Sequence, residues 1–497
     1  MARPPLTIRN LTPIPLELKL VERYESHIPA EAAAGGLINF SSLARNFTSL
    51  VSNATVPSPS SPQLAENAEG FHRSEVSIKA EPFQTCKTDI KISEKSANEI
   101  LRLTFDAKGE RYRVDTLLPL TESTTLVPLV PNPRFEFTAV YLPQHSHLSL
   151  YSSSHLHSWM RDLKDETPLS ALSIPGTHNS PTCHRALPSV RCQAVGVREQ
   201  LDNGVRFLDI RVQPESPDDP SKDGLILVHG VFPISLTGNK YLRDLVNEVS
   251  AFLDQNPSET VIMSIKREGP GKHTDQQLSR ILKDHYAHDV NRWFTAPRIP
   301  DLGEARHKMV LMRRFTIEDG LKKEWDGQGW GINAETWAYN TPNDMCRSGD
   351  ICVQDFCEVL ETENIDKKIK YCTDHLGRSG CCVCPLPDPS PATIKHELHH
   401  ESQPGQQKQP FYINFLSASN FWKVGCWPER IAQRLNPAMI EFLCRHHADS
   451  QEESGARGDG STGIVVCDWV GQSGDWDLVR CIVGMNSKLE LREREMQ

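Results

Sequence analysis

The sequence lacks the features that would embed it in a membrane or attach it to a nucleic acid. It contains no run of 18 apolar residues, so no membrane-spanning helix is predicted. Its formal net charge is -10, which gives nucleic-acid binding no electrostatic support. The first residues, "MARPPLTIRNLTPIPLELKL", lack the continuous apolar core of a secretory signal. We therefore expect a cytoplasmic protein that contacts membranes only peripherally.

Cysteine is not scarce, but the lack of a recognisable secretory signal argues against a disulfide framework. The chain has 14 cysteines in 497 residues. Without a secretory signal these are expected to be mostly reduced thiols. The length exceeds that of one ordinary domain and leaves room for two, one of them large enough for a barrel of ~250 residues.

Residues 1–150 have the texture of an all-β domain. Short alternating segments such as "LTIRNL", "LELKLVERY", "EILRLTF" and "FEFTAVYL" are separated by polar and proline-rich pieces. Alternation with period two is typical of strands, and clear helical periodicity is scarce here. The segment predicts a small, sandwich-like all-β domain, and nothing in it indicates a role.

From residue 155 to about 490, strand-like and helix-like segments alternate. Eight apolar runs are candidate strands: "ALSIPG", "VRFLDIR", "LILVHG", "TVIMSIK", "KMVLMRRF", "ICVQDF", "FYINFL" and "GIVVCDW". This alternation predicts an α/β domain built as a distorted (β/α)-barrel. The gap before "LILVHG" is too short for a helix, so the repeat is irregular. Residues 376–410 are predicted to be a surface insertion of low order.

Polar side chains stand at the ends of these apolar runs. In a barrel of this kind the carboxyl ends of the strands form one rim, where reactive groups gather. Any one charged strand end is ordinary, but so many together indicate a site. The residues are His178, Asn179, Asp209, Arg211, His229, Lys266, Arg313, Arg314, Asp355 and Asp468.

This set of side chains suits phosphodiester chemistry. One imidazole can take a proton from an attacking hydroxyl while the other protonates the leaving oxygen. A cation can stabilise charge on the phosphate oxygens. Carboxylates can orient the imidazoles and select their tautomers.

Four motifs in order, "LSIPGTHNS", "GVRFLDIRV", "LVHG" and "NPSETVIMSIKRE", resemble the X domain of the phosphatidylinositol-specific phospholipases C. The later segments "LGEARHKMVLMRRF", "VQDF" and "VVCDW" extend the resemblance over about residues 155–485. It is closest to the metal-independent bacterial type, whose fold is a distorted (β/α)-barrel. Residues 1–150 have no counterpart in that type.

The resemblance implies a role for each rim residue. His178 would be the general base on the inositol 2-hydroxyl, steadied by Asp468, and His229 the general acid. Arg211, with Asp209 beside it, would hold the phosphate. Headgroup contacts are implied for Asn179, Lys266, Arg314 and Asp355. The expected products are diacylglycerol and a 1,2-cyclic inositol phosphate, released from inositol lipids at a membrane surface.

Arg211 also predicts that no metal or other cofactor is needed. Calcium-dependent relatives place carboxylates in this region, whereas an arginine supplies a fixed positive charge. Two departures from the bacterial type bear on activity. Asn179 stands where that type has an aspartate, and Phe356 and Cys357 follow Asp355 where it has a stacking aromatic. An asparagine cannot raise the pKa of the acid imidazole by its charge.

Two other functions are compatible with the sequence. A catalytically weak X domain would serve as a phosphoinositide-binding or membrane-binding module, although both histidines, Arg211 and Lys266 are present. A related barrel phosphodiesterase acting on lysophospholipids or glycerophosphodiesters would use a metal and a carboxylate cluster, and the presence of Arg211 argues against it. Among the tryptophans, including Trp330 and Trp422, core packing is the default and a membrane anchor the alternative.

Overall fold

The computed structural model describes residues 4–25, 70, 72–91, 99–116, 123–219, 221–384, 409–448 and 458–495. The chain divides into two compact units. The first consists mainly of Met1–Ser153, and the second contains most of the chain that follows. All 14 cysteines lie in the described ranges, and every one is a free thiol.

The first unit is built from strands in its described residues. One five-stranded sheet has the order β4-β1-β10-β9-β7 and the other has the order β3-β2-β5-β6-β8. Side chains from both sheets share one hydrophobic core, with Leu18 and Leu103 from one sheet and Ile8 and Leu148 from the other. The strands are β1 Thr7–Leu11, β2 Leu16–Glu25, β3 His72–Ala80, β4 Gln84–Lys87, β5 Glu99–Ala107, β6 Glu110–Asp115, β7 Thr124–Thr125, β8 Val127–Pro128, β9 Phe137–Leu142 and β10 His147–Ser152.

The second unit contains one large mixed sheet. Its order is β16-β17-β15-β12-β11-β22-β21-β20-β19, with β13 paired to β12 and β18 to β17. The strands are β11 Ile174–Thr177, β12 Phe207–Pro214, β13 Leu225–His229, β14 Phe232–Pro233, β15 Val261–Arg267, β16 Trp293–Phe294, β17 Met309–Arg314, β18 Ile332–Asn333, β19 Asp344–Met345, β20 Ile351–Gln354, β21 Phe411–Phe415 and β22 Ile464–Cys467.

The central strands of this sheet run parallel. β11 pairs in parallel with β12 on one side and with β22 on the other, and the parallel pairing continues through β15 and β17 and through β21 and β20. The α/β class is therefore confirmed. The strand pairing of the described residues has two ends and does not form a closed ring. Because the central strands are parallel, their carboxyl ends lie along one edge.

Helices connect the parallel strands. They are α1 Val197–Asp202, α2 Leu242–Gln255, α3 Asp275–His285, α4 Leu302–Ala305, α5 Asn364–Gly380, α6 Pro428–Arg445, α7 Asp477–Gly484 and α8 Ser487–Glu495, with an irregular turn at Glu324–Gly327. In α2 the leucine, valine and phenylalanine side chains at spacings of three and four are the buried ones. An amphipathic helix buries such a stripe against the core. None of the described helices is long and apolar enough to cross a bilayer.

Two expectations about this unit need correction. The run "LILVHG" forms β13, which is antiparallel to β12 and therefore does not belong to the parallel set. Residues 376–380 form the last turns of α5, where Leu376 is fully buried, so no surface insertion begins at 376. A buried apolar side chain on a continuous helix explains that boundary. Residues 385–408 of the expected insertion lie outside the described residues.

Candidate active site

The turn after β11 explains the motif "LSIPGTHNS". A Cβ atom on Gly176 would lie 2.9 Å from the Phe207 ring of β12, so the two strands approach closely only because residue 176 has no side chain. Asn179 follows with φ of 38°. Asparagine tolerates this left-handed backbone better than most residues. The turn leaves His178 at the carboxyl edge of the sheet, between the ends of β12 and β22.

His178 is held at both its ring and its backbone. Its Nδ1 lies 2.9 Å from Oδ1 of Asp468, the residue after β22. Its backbone carbonyl accepts a hydrogen bond from Nε2 of Gln193 at 2.7 Å. With Nδ1 paired to a carboxylate, Nε2 is left as the basic nitrogen. Burial raises the pKa of Asp468, and the neighbouring His178 partly offsets that rise.

His229 reaches the site from a different direction. It ends the antiparallel strand β13, and its ring lies edge-on to that of His178 with the centroids 5.7 Å apart. Its Nδ1 is 2.7 Å from the carbonyl of Val190. Burial, with Arg211 and His178 nearby, lowers the pKa of His229 to about 4. In the free protein this imidazole is therefore neutral near pH 7.

Three cations stand in one row across the sheet. Arg211 on β12 is in register with Lys266 on β15, and Lys266 is in register with Arg314 on β17. In-register residues of parallel strands face the same side of a sheet. The sequence predicted all three as site residues, and the structure places them on one face. Arg313, one position earlier, instead bonds the carbonyl of Trp330 and belongs to the packing of the opposite face.

Two carboxylates offset part of the charge of this row. Nε and Nη2 of Arg211 each lie 3.2 Å from Oδ2 of Asp209. Its Nη1 lies 3.0 Å from Oε1 of Glu268, which also accepts from Nζ of Lys266 at 2.8 Å. Nη1 also lies 3.4 Å from Oε2 of Glu268, so of the five N–H donors of the guanidinium one hydrogen on Nη2 is left for a ligand.

The charges of the row explain the pKa shifts within it. Burial alone would raise the pKa of Asp209, but Arg211, Arg314 and His178 outweigh burial and lower it to about 2. Burial opposes the ionised form of Glu268 as well, and Arg211 and Lys266 bring its pKa well below the ordinary value. Both carboxylates are thus ionised at neutral pH. The arrangement holds a fixed cation beside two imidazoles.

Arg314 and Asp355 form the far wall of the site. Nη2 of Arg314 is 3.9 Å from Oδ2 of Asp355, and its Nη1 is 3.2 Å from Oδ1 of Asp209. The guanidinium lies 3.5 Å from the centroid of the Trp337 ring, a cation–π contact. Burial lowers the pKa of Arg314, although the carboxylates counteract the effect.

The two departures from the bacterial pattern have structural counterparts. Nδ2 of Asn179 donates to the carbonyl of Val228 at 3.4 Å, next to His229. The Phe356 ring packs against Tyr371 of α5 with centroids 5.2 Å apart. Cys357 is partly buried, and burial raises the pKa of its thiol. Of the two aromatic rings over the Arg314 guanidinium, that of Trp337 lies nearer, at 3.5 Å, and that of Phe415 lies at 5.7 Å.

Several site residues were missed by the sequence reasoning. Glu268 lies two residues after Lys266, so strand alternation alone could have placed it on the same face. Gln193 and Cys192 come from the long loop before α1, where no periodicity links them to His178. Sγ of Cys192 lies 3.7 Å from Nδ1 of His229, and the residue is fully buried.

Comparison with known proteins identifies related sequences. Residues 166–315 match the family model described as phosphatidylinositol-specific phospholipase C, X domain. The 1-phosphatidylinositol phosphodiesterase of Listeria monocytogenes is 34% identical over 164 residues, which cover 31% of this chain and 47% of that protein. The match thus spans about half of that relative. The enzyme of the same name from Staphylococcus aureus is 25% identical over 356 residues, covering 69% of this chain and 97% of that protein.

A human protein and a solved bacterial structure are also similar to this chain. A human protein named PI-PLC X domain-containing protein 1 is 27% identical over 207 residues, which cover 35% of this chain and 61% of that protein. A crystal structure of the phosphatidylinositol-specific phospholipase C of Staphylococcus aureus aligns with a TM-score of 0.49 and 22% identity, covering 67% of this chain and 97% of the other.

Proposed function

Residues 166–315 of the chain belong to the phosphatidylinositol-specific phospholipase C X-domain family, and from this premise we propose that the protein cleaves phosphatidylinositol-type phospholipids. The products would be diacylglycerol and inositol 1,2-cyclic phosphate. The observation that carries the proposal is the pair of imidazoles of His178 and His229, 5.7 Å apart at their centroids, beside Arg211. Each imidazole has its Nδ1 held by an oxygen, as acid and base catalysts require.

The proposed reaction divides the two proton transfers between the histidines. Nε2 of His178 takes the proton of the inositol 2-hydroxyl, and the freed oxygen forms a bond to phosphorus. The bond from phosphorus to the diacylglycerol oxygen breaks, and His229 supplies the proton to that oxygen. His229 must be protonated for this step, and the negative charge of a bound phosphodiester favours the protonated form.

Arg211 stabilises the charge on the non-bridging oxygens in this scheme. Its two carboxylate partners fix the guanidinium in place before substrate arrives, so little reorganisation is required. The inositol hydroxyls would contact Lys266, Arg314, Asp355 and Asn179. We propose that no metal takes part in the reaction, because the fixed guanidinium supplies the charge that a cation otherwise provides.

Contact with the membrane would be peripheral and would use an apolar patch close to His229. The ring of Phe232 on β14 stacks on that of Phe421 at 5.0 Å, and Phe421 contacts Trp422 at 4.9 Å. The Trp422 side chain is 88% exposed and that of Val231 is 63% exposed. Exposed aromatic side chains of this kind favour the membrane interface. We propose that this patch rests on the cytoplasmic face of a membrane.

A second candidate is a catalytically weak domain that binds inositol lipids without cleaving them. The low pKa of His229 favours it, because a neutral imidazole cannot act as an acid. The two candidates make different predictions for the same assay.

The test uses the full-length protein and vesicles of phosphatidylinositol or phosphatidylcholine, with and without EDTA. Released diacylglycerol is measured by mass spectrometry. We expect cleavage of phosphatidylinositol alone, equal in EDTA. His178→Ala and His229→Ala should each lose about 10³-fold or more. His184→Ala, in the same loop as His178, is the matched control and should retain wild-type activity. Binding without cleavage by the wild-type protein would support the lipid-binding module instead.

A further inference from the structure

A sulfur ligand stands beside the two histidines. One ring nitrogen of His178, one of His229 and Sγ of Cys192 all lie within 4.8 Å of one another. A tetrahedral zinc ion holds nitrogen and sulfur ligands about 3.3–3.6 Å apart, from bond lengths of about 2.0–2.3 Å. Shifts of about 1 Å in these side chains would therefore close the three atoms around one ion. We propose that these three residues bind a divalent cation of the zinc class.

The cysteine is held firmly enough to serve as a ligand. The backbone N–H of Cys192 donates to Oγ1 of Thr182 at 3.2 Å, and its carbonyl accepts from the backbone N–H of Trp469 at 2.9 Å. The next residue, Gln193, is tied to the carbonyl of His178. The loop that carries the thiol is thus fastened to the strand ends that carry the imidazole.

The surroundings of the histidines match those of metal ligands. Metal-binding imidazoles almost always donate their second ring N–H to a carboxylate or a backbone carbonyl. Asp468 holds His178 in this way at 2.9 Å, and the carbonyl of Val190 holds His229 at 2.7 Å. These bonds leave Nε2 of each ring for the ion, and Sγ of Cys192, which lies 3.7 Å from Nδ1 of His229, would shift toward that Nε2.

The ligand types select the kind of metal. Two imidazoles and a thiolate suit zinc and its close relatives, whereas calcium and magnesium require oxygen ligands. Three protein ligands leave a fourth position open. Arg211 repels a cation here, but Asp209 and Asp468 lie within 4.0 Å of the His178 ring and offset that charge. The thiol of Cys192 would lose its proton to the solvent when the ion binds.

Such an ion would switch off the proposed cleavage. The ring nitrogen that ligates zinc can neither accept nor donate a proton, so a metal at this site competes with catalysis by both histidines. This consequence rests on the proposed function, whereas the binding itself does not. Added Zn²⁺ should therefore inhibit cleavage by the metal-free protein, and EDTA should reverse that inhibition.

The binding test is a titration of the full-length, metal-free protein with Co²⁺, followed by displacement with Zn²⁺. A thiolate ligand gives cobalt an intense charge-transfer absorption in the near ultraviolet. We expect this absorption to saturate at one Co²⁺ per chain and to disappear when Zn²⁺ is added. Cys192→Ser should lose the absorption and bind Zn²⁺ at least 100-fold more weakly, and Cys192→Ala provides a second variant.

Cys183→Ser is the matched control. Cys183 lies in the same loop, with its Sγ 3.8 Å from the carbonyl of Pro181, and it is not part of the cluster. This variant should keep the wild-type spectrum. The proposal is overturned if the wild-type protein shows no thiolate absorption, or if Cys192→Ser or Cys192→Ala retains it. Zinc binding by a protein that cleaves no phosphatidylinositol would contradict the proposed function but support the metal site.

Discussion

Asp468 offers the sharpest test of how the site is organised, because it touches the proposed base and not the substrate. The substitution Asp468→Asn keeps the shape of the side chain and removes its charge. The bond to Nδ1 of His178 is 2.9 Å long, and both residues are buried. A hydrogen bond to a charged group contributes about 1.5–3 kcal/mol, which corresponds to a loss of about 10- to 150-fold in rate.

The tautomer adds to this loss. The amide of an asparagine can donate to Nδ1 of His178, which leaves the hydrogen on Nε2, where the proposed base must be free. The corresponding change in serine protease triads lowers kcat by about 10⁴-fold. We therefore expect Asp468→Asn to lower kcat by between about 10² and 10⁴-fold, with a much smaller effect on KM. The assay is phosphatidylinositol cleavage in detergent-dispersed substrate.

Folding stability should not fall with activity. Burial raises the pKa of Asp468 above its ordinary value, so ionisation of this group opposes folding once the pH exceeds that ordinary value. A neutral asparagine removes this penalty at neutral pH. Urea unfolding should give a free energy within about 1 kcal/mol of wild type or higher.

A double-mutant cycle decides whether Asp468 acts through His178. In the His178→Ala background, Asp468→Asn should cause no further loss, because the group that it positions is gone. Full activity of Asp468→Asn, or an equal extra loss in both backgrounds, would refute the reasoning.

Three further predictions follow from other parts of the structure. The general acid must be protonated, and the pKa of His229 is about 4, so kcat/KM should fall tenfold per pH unit on the alkaline side of its optimum. Asn179→Asp should shift this alkaline decline to higher pH by about 1–2 units. A pH profile that does not shift would contradict the assignment of His229 as the acid. Trp422→Ala should weaken binding to phosphatidylinositol vesicles without changing cleavage of a water-soluble inositol phosphodiester, whereas equal losses in both assays would show that Trp422 has another role. Nη2 of Arg206 lies 2.9 Å from Oε2 of Glu259, and both side chains are fully buried. Glu259→Gln leaves the Arg206 charge unpaired and should lower the free energy of unfolding by about 3–5 kcal/mol in urea titrations. A change below about 1 kcal/mol would show that the ion pair is dispensable.

The strand-end residues could be predicted because parallel strands force their carboxyl ends to one edge. His178, Asp209 and Asp468 follow from this rule, as does the row of Arg211, Lys266 and Arg314. The buried face of α2 can be predicted in the same way, since one stripe of apolar residues recurs at helical spacing. Both features follow from periodicity within short segments of the sequence: alternation in the strands and spacings of three and four in the helix.

What could not be predicted depends on long-range pairing. His229 lies on the antiparallel strand β13; the short gap before "LILVHG" indicated an irregular repeat, but nothing in the sequence placed His229 beside His178. Cys192 and Gln193 reach His178 through an irregular loop anchored by Thr182 and the backbone of Trp469. The start of the expected insertion was placed at 376 because glycine and serine follow Leu376 and are typical of a loop, although Leu376 is buried in α5.

The central claim is that His178 activates the inositol 2-hydroxyl of a lipid while His229 protonates the leaving oxygen. Phosphorus NMR of phosphatidylinositol vesicles incubated with the protein in EDTA tests it most directly, because the strained five-membered cyclic phosphate has a distinct resonance. The account predicts that this cyclic resonance appears first, that any acyclic inositol phosphate follows it, and that neither appears with His178→Ala. An acyclic phosphate formed without the cyclic species, or formed only when calcium replaces EDTA, would contradict it.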